Sequence, residues 1–232
     1  QTVIHPATGT PQGGVVSPVL ANIYLHYVLD MWFQKQVQKQ AQGKSVMMRY
    51  ADDFVNAFQR KADAVKYLKM LKERLGKFGL SLSEEKTRLV KFTRYEIHGN
   101  ESFSFLGFEF RWGLDRHRRP HVKRRTMRTR LARALQEMTD WLKAERSAGL
   151  RPMMKTLAKK LLGHWNYYGI HYNSSSLWEY YRLVCGLVFK WLNRRSQRRS
   201  YSWERFKLML ARYAIPKPRI TEPALKKRFA VC

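Results

Sequence analysis

Tyr50-Ala51-Asp52-Asp53 sets two adjacent carboxylates between two short apolar runs, residues 46–48 and 54–58. That pattern predicts a β-hairpin over residues 45–59 with the acids at its tip. Neighbouring carboxylates repel each other, and neither is cheaply buried as an anion. A divalent cation removes that penalty, and Mg²⁺ favours one or two carboxylates together with water and substrate phosphates. Two such ions roughly 4 Å apart support phosphoryl transfer: one activates an attacking hydroxyl, the other steadies the leaving group. An ordinary Asx-type turn has the same local composition, so the pair needs company before it means chemistry.

Company comes from the segment running from Thr10 to Tyr24. Gln12 offers both donors and an acceptor, and Gly13 and Gly14 allow close backbone approach to a base or sugar. Ser17-Pro18 reads as the N-cap and first residue of a helix, whose free N–H groups favour a phosphate. A glycine-rich turn capping a core helix is the competing reading.

The elements that must position these groups follow from periodicity. Leu20, Ile23, Tyr24, Tyr27, Val28 and Met31 recur at helical spacing, so one helix should run to about Gln40. Ala64, Val65, Leu68, Leu71 and Leu75 mark a second, closed by Gly79. Residues 89–92 and 103–110 read as strands, after which β structure should stop. From about Lys123 three amphipathic helices follow, marked by Met127, Leu131 and Leu135, then Met154, Leu157 and Leu161, then Leu177, Val184 and Val188. A shorter helix covers 203–213. The expected fold class is α+β: an antiparallel sheet with packed helices over 1–113, then an all-α bundle over 114–232, with the boundary between Gly113 and Lys123.

Charge is the dominant compositional feature. Lys and Arg number 45 against 17 Asp and Glu, a formal net charge of +28 over 232 residues. Such an excess repels itself unless a polyanion neutralises it, which points to nucleic acid. No run approaches the roughly 18 apolar residues a spanning helix needs, so a membrane is not expected as partner. Cys185 and Cys232 form no CxxC pair, which argues against a zinc site or disulfide framework and fits a reducing cytosol. The absence of an initiator Met and of a signal-peptide pattern at the start is expected of a fragment or processed product. In the helical half, Arg124, Arg125, Arg128 and Arg133 lie off the apolar stripe of the first helix. Lys155, Lys159 and Lys160 repeat that arrangement on the second, and Lys190, Arg194, Arg195, Arg198 and Arg199 near the end of the third. Three successive basic faces with few acids suit a phosphate backbone. Interleaved aromatics, Trp165, Tyr167, Tyr168, Trp178, Tyr181 and Trp191, are mostly core by position, with a minority free to stack on bases.

These motifs, in this order, resemble the group II intron reverse transcriptases and maturases of bacterial type. The Gln12-Gly13-Gly14 stretch resembles their template and nucleotide motif, and Tyr50 to Asp53 their catalytic box. Gly79 to Thr87 resembles the motif whose lysine, here Lys86, lies near the triphosphate. Phe105-Leu106-Gly107-Phe108-Glu109-Phe110 is similar to the primer-grip hairpin, and residues 163–169 with 191–195 and 201–203 resemble the maturase-specific thumb. The resemblance implies an RNA-directed DNA polymerase that uses Mg²⁺, an RNA template, a DNA primer and dNTPs, and that binds its parent intron RNA for splicing and mobility. It implies that Asp52 and Asp53 are metal ligands, with Tyr50, Ala51, Gln12, Gly13 and Gly14 lining the nucleotide and template pocket. Lys86 would assist catalysis, and Leu106 and Gly107 would grip the primer. Arg124, Arg125, Arg128, Lys155, Lys159, Arg194 and Arg195 would bind RNA. A cytoplasmic ribonucleoprotein, associated with the nucleoid, is the implied location.

The family's first catalytic aspartate lies on a strand absent from this sequence, as does its fingers domain. Asp30 and Asp63 fall on predicted helices and do not replace it. The expectation is an incomplete metal site, inactive alone. The alternative is a non-enzymatic RNA-binding splicing factor built on a polymerase scaffold.

Overall fold

The computed structural model describes residues 16–95, 97, 101–147, 149–195 and 200–223. Gln12, Gly13, Gly14, Arg198, Arg199 and Cys232 lie outside the described residues. The architecture is α+β, with two small antiparallel sheets among packed helices, as expected. The chain forms two compact units, residues 1–91 and 92–232.

The first unit begins with a continuous helical run. It comprises α1 (Ser17–Leu25), a π-helical turn His26–Asp30, a second π-helical turn Phe33–Val37, and α2 (Gln38–Gln40). Val16, not Ser17, occupies the N-cap position, and Pro18 sits in the first turn where its missing N–H costs nothing. The two π turns rotate the buried face away from the regular 3.6-residue stripe. Val28, Leu29, Trp32, Phe33 and Val37 are the buried positions, whereas Leu20, Ile23 and Tyr27 stay exposed.

Against that face pack the hairpin β1 (Ser45–Tyr50) and β2 (Asp53–Phe58) and the helix α3 (Lys61–Lys77). The hairpin presents Met47, Phe54 and Phe58 to the core, while Tyr67, Leu71 and Leu75 close it from α3. Trp32 stacks on Tyr67 at 5.9 Å between ring centroids, and Phe58 meets Tyr67 at 5.0 Å. Leu71 is 2% exposed, so truncation to alanine there costs about 2–5 kcal/mol. Asp63, in the first turn of α3, is buried and accepts from the Gln42 and Gly43 amides at 3.2 and 3.0 Å. Gly79 ends α3 as expected: its φ is 68°, and Leu80 N–H reaches back to Leu75 C=O at 2.9 Å in a Schellman closure.

The second unit opens with a three-stranded antiparallel sheet, β3 (Ser102–Phe105), β4 (Phe108–Leu114) and β5 (Pro120–Thr126). Three expectations are corrected here. Residues 89–92 form no strand, and Phe92 instead packs its ring on Phe103 and Trp112. Residues 103–110 are not one strand but a hairpin broken at Leu106-Gly107. β structure does not stop before the arginine-rich stretch, and residues 123–126 are not helical: β5 pairs along the whole of β4, with Leu114 opposite Pro120 and Phe108 opposite Thr126. The compact units therefore divide upstream of the expected boundary, and the sheet travels with the helices.

Those helices are α4 (Arg128–Ala144), α5 (Leu150–Tyr168), α6 (Ser174–Leu192) and α7 (Trp203–Arg212). Their apolar stripes converge on Trp165, Leu157, Leu161, Val184, Val188 and Phe206, all at most 1% exposed. Buried Asn173 joins sheet to bundle: its Oδ1 accepts from Thr126 N–H at 2.8 Å, and its Nδ2 donates to Thr126 Oγ1 and to Tyr168 C=O. The segment after α7 straps across the C-terminal end of α5, with Thr221 N–H donating to Gly169 C=O at 2.7 Å. Among the described residues, no helix is long and apolar enough to cross a membrane.

Candidate active site and nucleic-acid interface

Tyr50 and Asp53 are the closing pair of the β1–β2 ladder, so Ala51 and Asp52 alone form the loop. Ala51 has φ 54°, and it is the one position of this loop with positive φ, the signature of a type II′ turn. That geometry normally selects glycine, so an alanine here is strained. Asp52 and Asp53 are both exposed, and Tyr50 stands 66% exposed beside them.

What holds the strained turn is Arg49, whose side chain lies on the opposite face of β1 from Tyr50. Its guanidinium donates from Nη1 to Ala51 C=O at 2.8 Å and to Asn22 Oδ1 at 2.9 Å. Nε and Nη2 grip the Asp30 carboxylate at 2.8 and 2.7 Å. His26 Nδ1 lies 3.3 Å from the same carboxylate. Asn22, His26 and Asp30 are spaced four apart along the first helical run, so one helix face reaches Arg49. The guanidinium, and secondarily His26, hold the Asp30 carboxyl below its ordinary range. Sequence reasoning missed this buttress. Its only trace is the i, i+4, i+8 polar spacing within an otherwise apolar helix.

The same geometry shows what the two helix acids do. Asp30 is taken up by Arg49 and Asp63 by the Gln42 and Gly43 amides, so both serve the fold. The exposed oxygens of Asp52 and Asp53 suit a hard cation that keeps water and phosphate ligands. Among the described residues, no group of three or more His, Cys, Asp or Glu side chains gathers into a metal cage. Lys86 is exposed in the turn after Ser83, and among the described residues no hydrogen bond or ion pair ties it to Asp52 or Asp53.

In the second unit, Leu106 and Gly107 both have positive φ, 50° and 78°, which makes the β3–β4 loop a type I′ turn. Two tyrosines from the end of α5 clamp it. Tyr167 hydroxyl donates to Leu106 C=O at 3.0 Å and its ring stacks on Phe108 at 5.8 Å. Tyr168 meets Phe108 edge-on, and its hydroxyl would lie 3.5 Å from a Cβ placed on Gly107. Met127 N–H donates to Gly107 C=O at 3.0 Å, which fixes where α4 begins.

The expected RNA-binding cations divide into two groups. Arg124 donates to both oxygens of Glu222, at 3.0 and 2.7 Å. Arg125 is bidentate to Glu109, its cross-strand partner, at 2.9 Å on each arm. Both guanidinium groups are half-buried and neutralised by carboxylates. Arg195 is also drawn inward, donating to Met153 Sδ, and Arg194 lies 5.6 Å from the Trp191 ring. Arg128, Lys155 and Lys159 are exposed, and among the described residues no salt bridge engages them.

No curated protein matches the chain. Residues 2–110 match the family model described as reverse transcriptase (RNA-dependent DNA polymerase), a stretch that contains both the carboxylate turn and the Leu106–Gly107 turn.

Proposed function

We propose that this chain is the palm-and-thumb portion of an RNA-directed DNA polymerase of the group II intron maturase type. It acts with Mg²⁺ on an RNA template, a DNA primer and dNTPs, and binds its intron RNA for splicing and mobility. The observation that carries this reading is the buttressed two-residue turn presenting Asp52 and Asp53, inside the stretch that matches reverse transcriptases.

In this reading Asp52 and Asp53 hold the metal, with a third carboxylate contributed by the strand that carries the family's first catalytic aspartate. Bound Mg²⁺ supplies charge neutralisation at the reacting phosphates. The protein's own contribution is position. Arg49 fixes the Ala51 carbonyl, so the carboxylates need no rearrangement when the 3′ end arrives. Gln12, Gly13 and Gly14 contact nucleotide and template, and Lys86 lies beside the triphosphate. The Leu106–Gly107 turn, stiffened by Tyr167, holds the primer strand. Arg128, Lys155 and Lys159 grip phosphates. The outward face of β1–β2, with Val46, Met48 and Tyr50 exposed, is a surface suited to packing against a further element or bound nucleic acid.

One observation favours the second reading, a splicing factor without polymerase activity. Asp30 and Asp63 are both used structurally, and among the described residues no third carboxylate joins Asp52 and Asp53 in a cluster. Primer extension on an RNA template with Mg²⁺ separates the readings, run with the chain alone and with a polypeptide carrying the fingers and first catalytic aspartate supplied. Extension only on complementation, reduced about a thousandfold or more by Asp52→Asn with RNA affinity unchanged, supports the polymerase. No extension in either case, with tight RNA binding retained, establishes the splicing factor.

A further inference from the structure

Two glycines in the interiors of long helices face open space. Gly163 lies within α5 and Gly186 within α6, both exposed, and a Cβ on either would meet nothing within 4 Å. Glycine inside a helix weakens it relative to alanine, and nothing packed against these positions compensates. Three other described glycines have an internal reason. Gly169 is closed in by the Trp165 and Arg219 carbonyls and Thr221 Oγ1, and Gly107 is in a turn at φ 78°. Gly76, equally open, is in the last turn of α3, where the Schellman closure begins.

The surroundings of Gly163 and Gly186 say what could use the space. On α5, Arg151, Lys155, Lys159, Gly163 and Tyr167 follow one another four residues apart, and all are exposed. Such a row is an i, i+4 ridge, inclined about 26° to the helix axis. It rises roughly 24 Å and ends at Tyr167, whose hydroxyl is bonded to the Leu106–Gly107 turn. On α6 the row Trp178, Arg182, Gly186 and Lys190 repeats the pattern: an exposed aromatic, cations, and an open glycine between them. Among the described residues, no salt bridge engages any of these five cations. Lys160, off the ridge, is instead placed over the Trp141 ring at 5.3 Å. The stack of His164 on Tyr180 at 3.8 Å brings the aromatic ends of the two rows to the same end of the α5–α6 pair.

We propose that Gly163 and Gly186 are close-approach points for the sugar–phosphate backbone of an RNA strand laid along the ridges of α5 and α6. The proposal rests on the reading that the helical half binds nucleic acid. The cations on either side neutralise successive phosphates, and the missing Cβ lets ribose and phosphate come down onto the helix backbone between them. Side chains at these two positions would hold the strand off the surface without disturbing the protein.

The test uses the full chain and a fluorescein-labelled RNA hairpin, with Kd measured across a potassium chloride series and Tm measured on the same samples. Gly163→Ala and Gly186→Ala should each raise Tm by roughly 2–4 °C while weakening binding roughly tenfold. Lys155→Ala and Lys159→Ala should each reduce the slope of log K against log salt by roughly 0.7–0.9. A higher Tm with unchanged Kd overturns the close-approach proposal and leaves nucleic-acid binding standing. A lower Tm shows that the glycine serves the fold, and also overturns it. Absence of salt-dependent RNA binding by the unmodified chain removes the reading underneath.

Discussion

Asp30→Asn tests the buttress of the carboxylate turn without changing side-chain size. The carboxylate receives two charge-assisted bonds from Arg49, at 2.8 and 2.7 Å, and the partners are only 12% and 21% exposed. Breaking a fully buried pair costs about 3–5 kcal/mol, and a solvent-exposed one contributes about 0–1 kcal/mol. This pair lies between those limits. The amide still accepts one guanidinium bond, but its NH₂ opposes the other donor, so a loss of about 2 kcal/mol is expected. For a chain of this length that lowers Tm by roughly 4–8 °C. Thermal and urea unfolding at neutral pH read the change, and a loss below about 0.5 kcal/mol would refute the argument that Arg49 depends on Asp30.

The pH dependence provides an internal check. Arg49 depresses the folded-state pKa of Asp30, so the ionised carboxylate contributes stability that is fully present above the unfolded value of about 3.9. That contribution disappears as pH falls through the lower folded-state value. The gap between the unmodified chain and Asp30→Asn should therefore be present at about pH 5, begin to shrink below about pH 4, and close as pH falls through the lower folded-state value. Glu109 and Glu222 also titrate at low pH, but they are common to both proteins and cancel in the comparison. A gap that persisted into strong acid would mean that the carboxylate's charge is not what holds Arg49.

Two further expectations follow from the second unit. Burial pushes the His164 imidazole down to about 4, where it is stacked on Tyr180 at 3.8 Å. The unfolded chain therefore binds a proton that the folded one refuses. Stability should fall by up to about 3 kcal/mol as pH drops from about 6.5 toward 4, and His164→Phe should flatten that loss. An NMR titration showing the folded imidazole protonating above pH 6 would contradict this. Gly107→Ala meets no steric block, since the nearest atom to its Cβ is the Tyr168 hydroxyl at an ordinary 3.5 Å, but φ is 78°. The left-handed backbone alone should cost about 1–2 kcal/mol, and a neutral effect in urea unfolding would show that the type I′ turn does not persist in solution.

The carboxylate hairpin was legible because alternating residues and a turn signal leave few alternatives, and the long helices because each carries an apolar stripe over many turns. What failed did so for identifiable reasons. A π turn leaves residue types unchanged while rotating the face they occupy, so Leu20 and Ile23 read as continuous with Val28 although only Val28 is buried. The Leu106–Gly107 turn is two residues long within an aromatic run, and periodicity passed across it. Strand β5 consists largely of basic residues without a clear apolar alternation, so it read as a domain boundary running into a helix, yet its hydrogen bonds to β4 depend on backbone alone and its charges on partners far away in sequence.

Arg124 and Arg125 make the same point for function. Their type and clustering marked them as phosphate binders, but Glu222 lies 98 residues from Arg124, and no local pattern could reveal that pairing. On α5 and α6 the exposed cations Arg151, Lys155, Lys159, Arg182 and Lys190 have other cations, glycine or an aromatic residue four positions away. Charge counted along a sequence therefore overstates the binding surface. It is the residual charge, after the fold has taken what it needs, that a nucleic acid meets. On α5 and α6 that residual charge is regular, four residues apart, and interrupted only where a glycine leaves room.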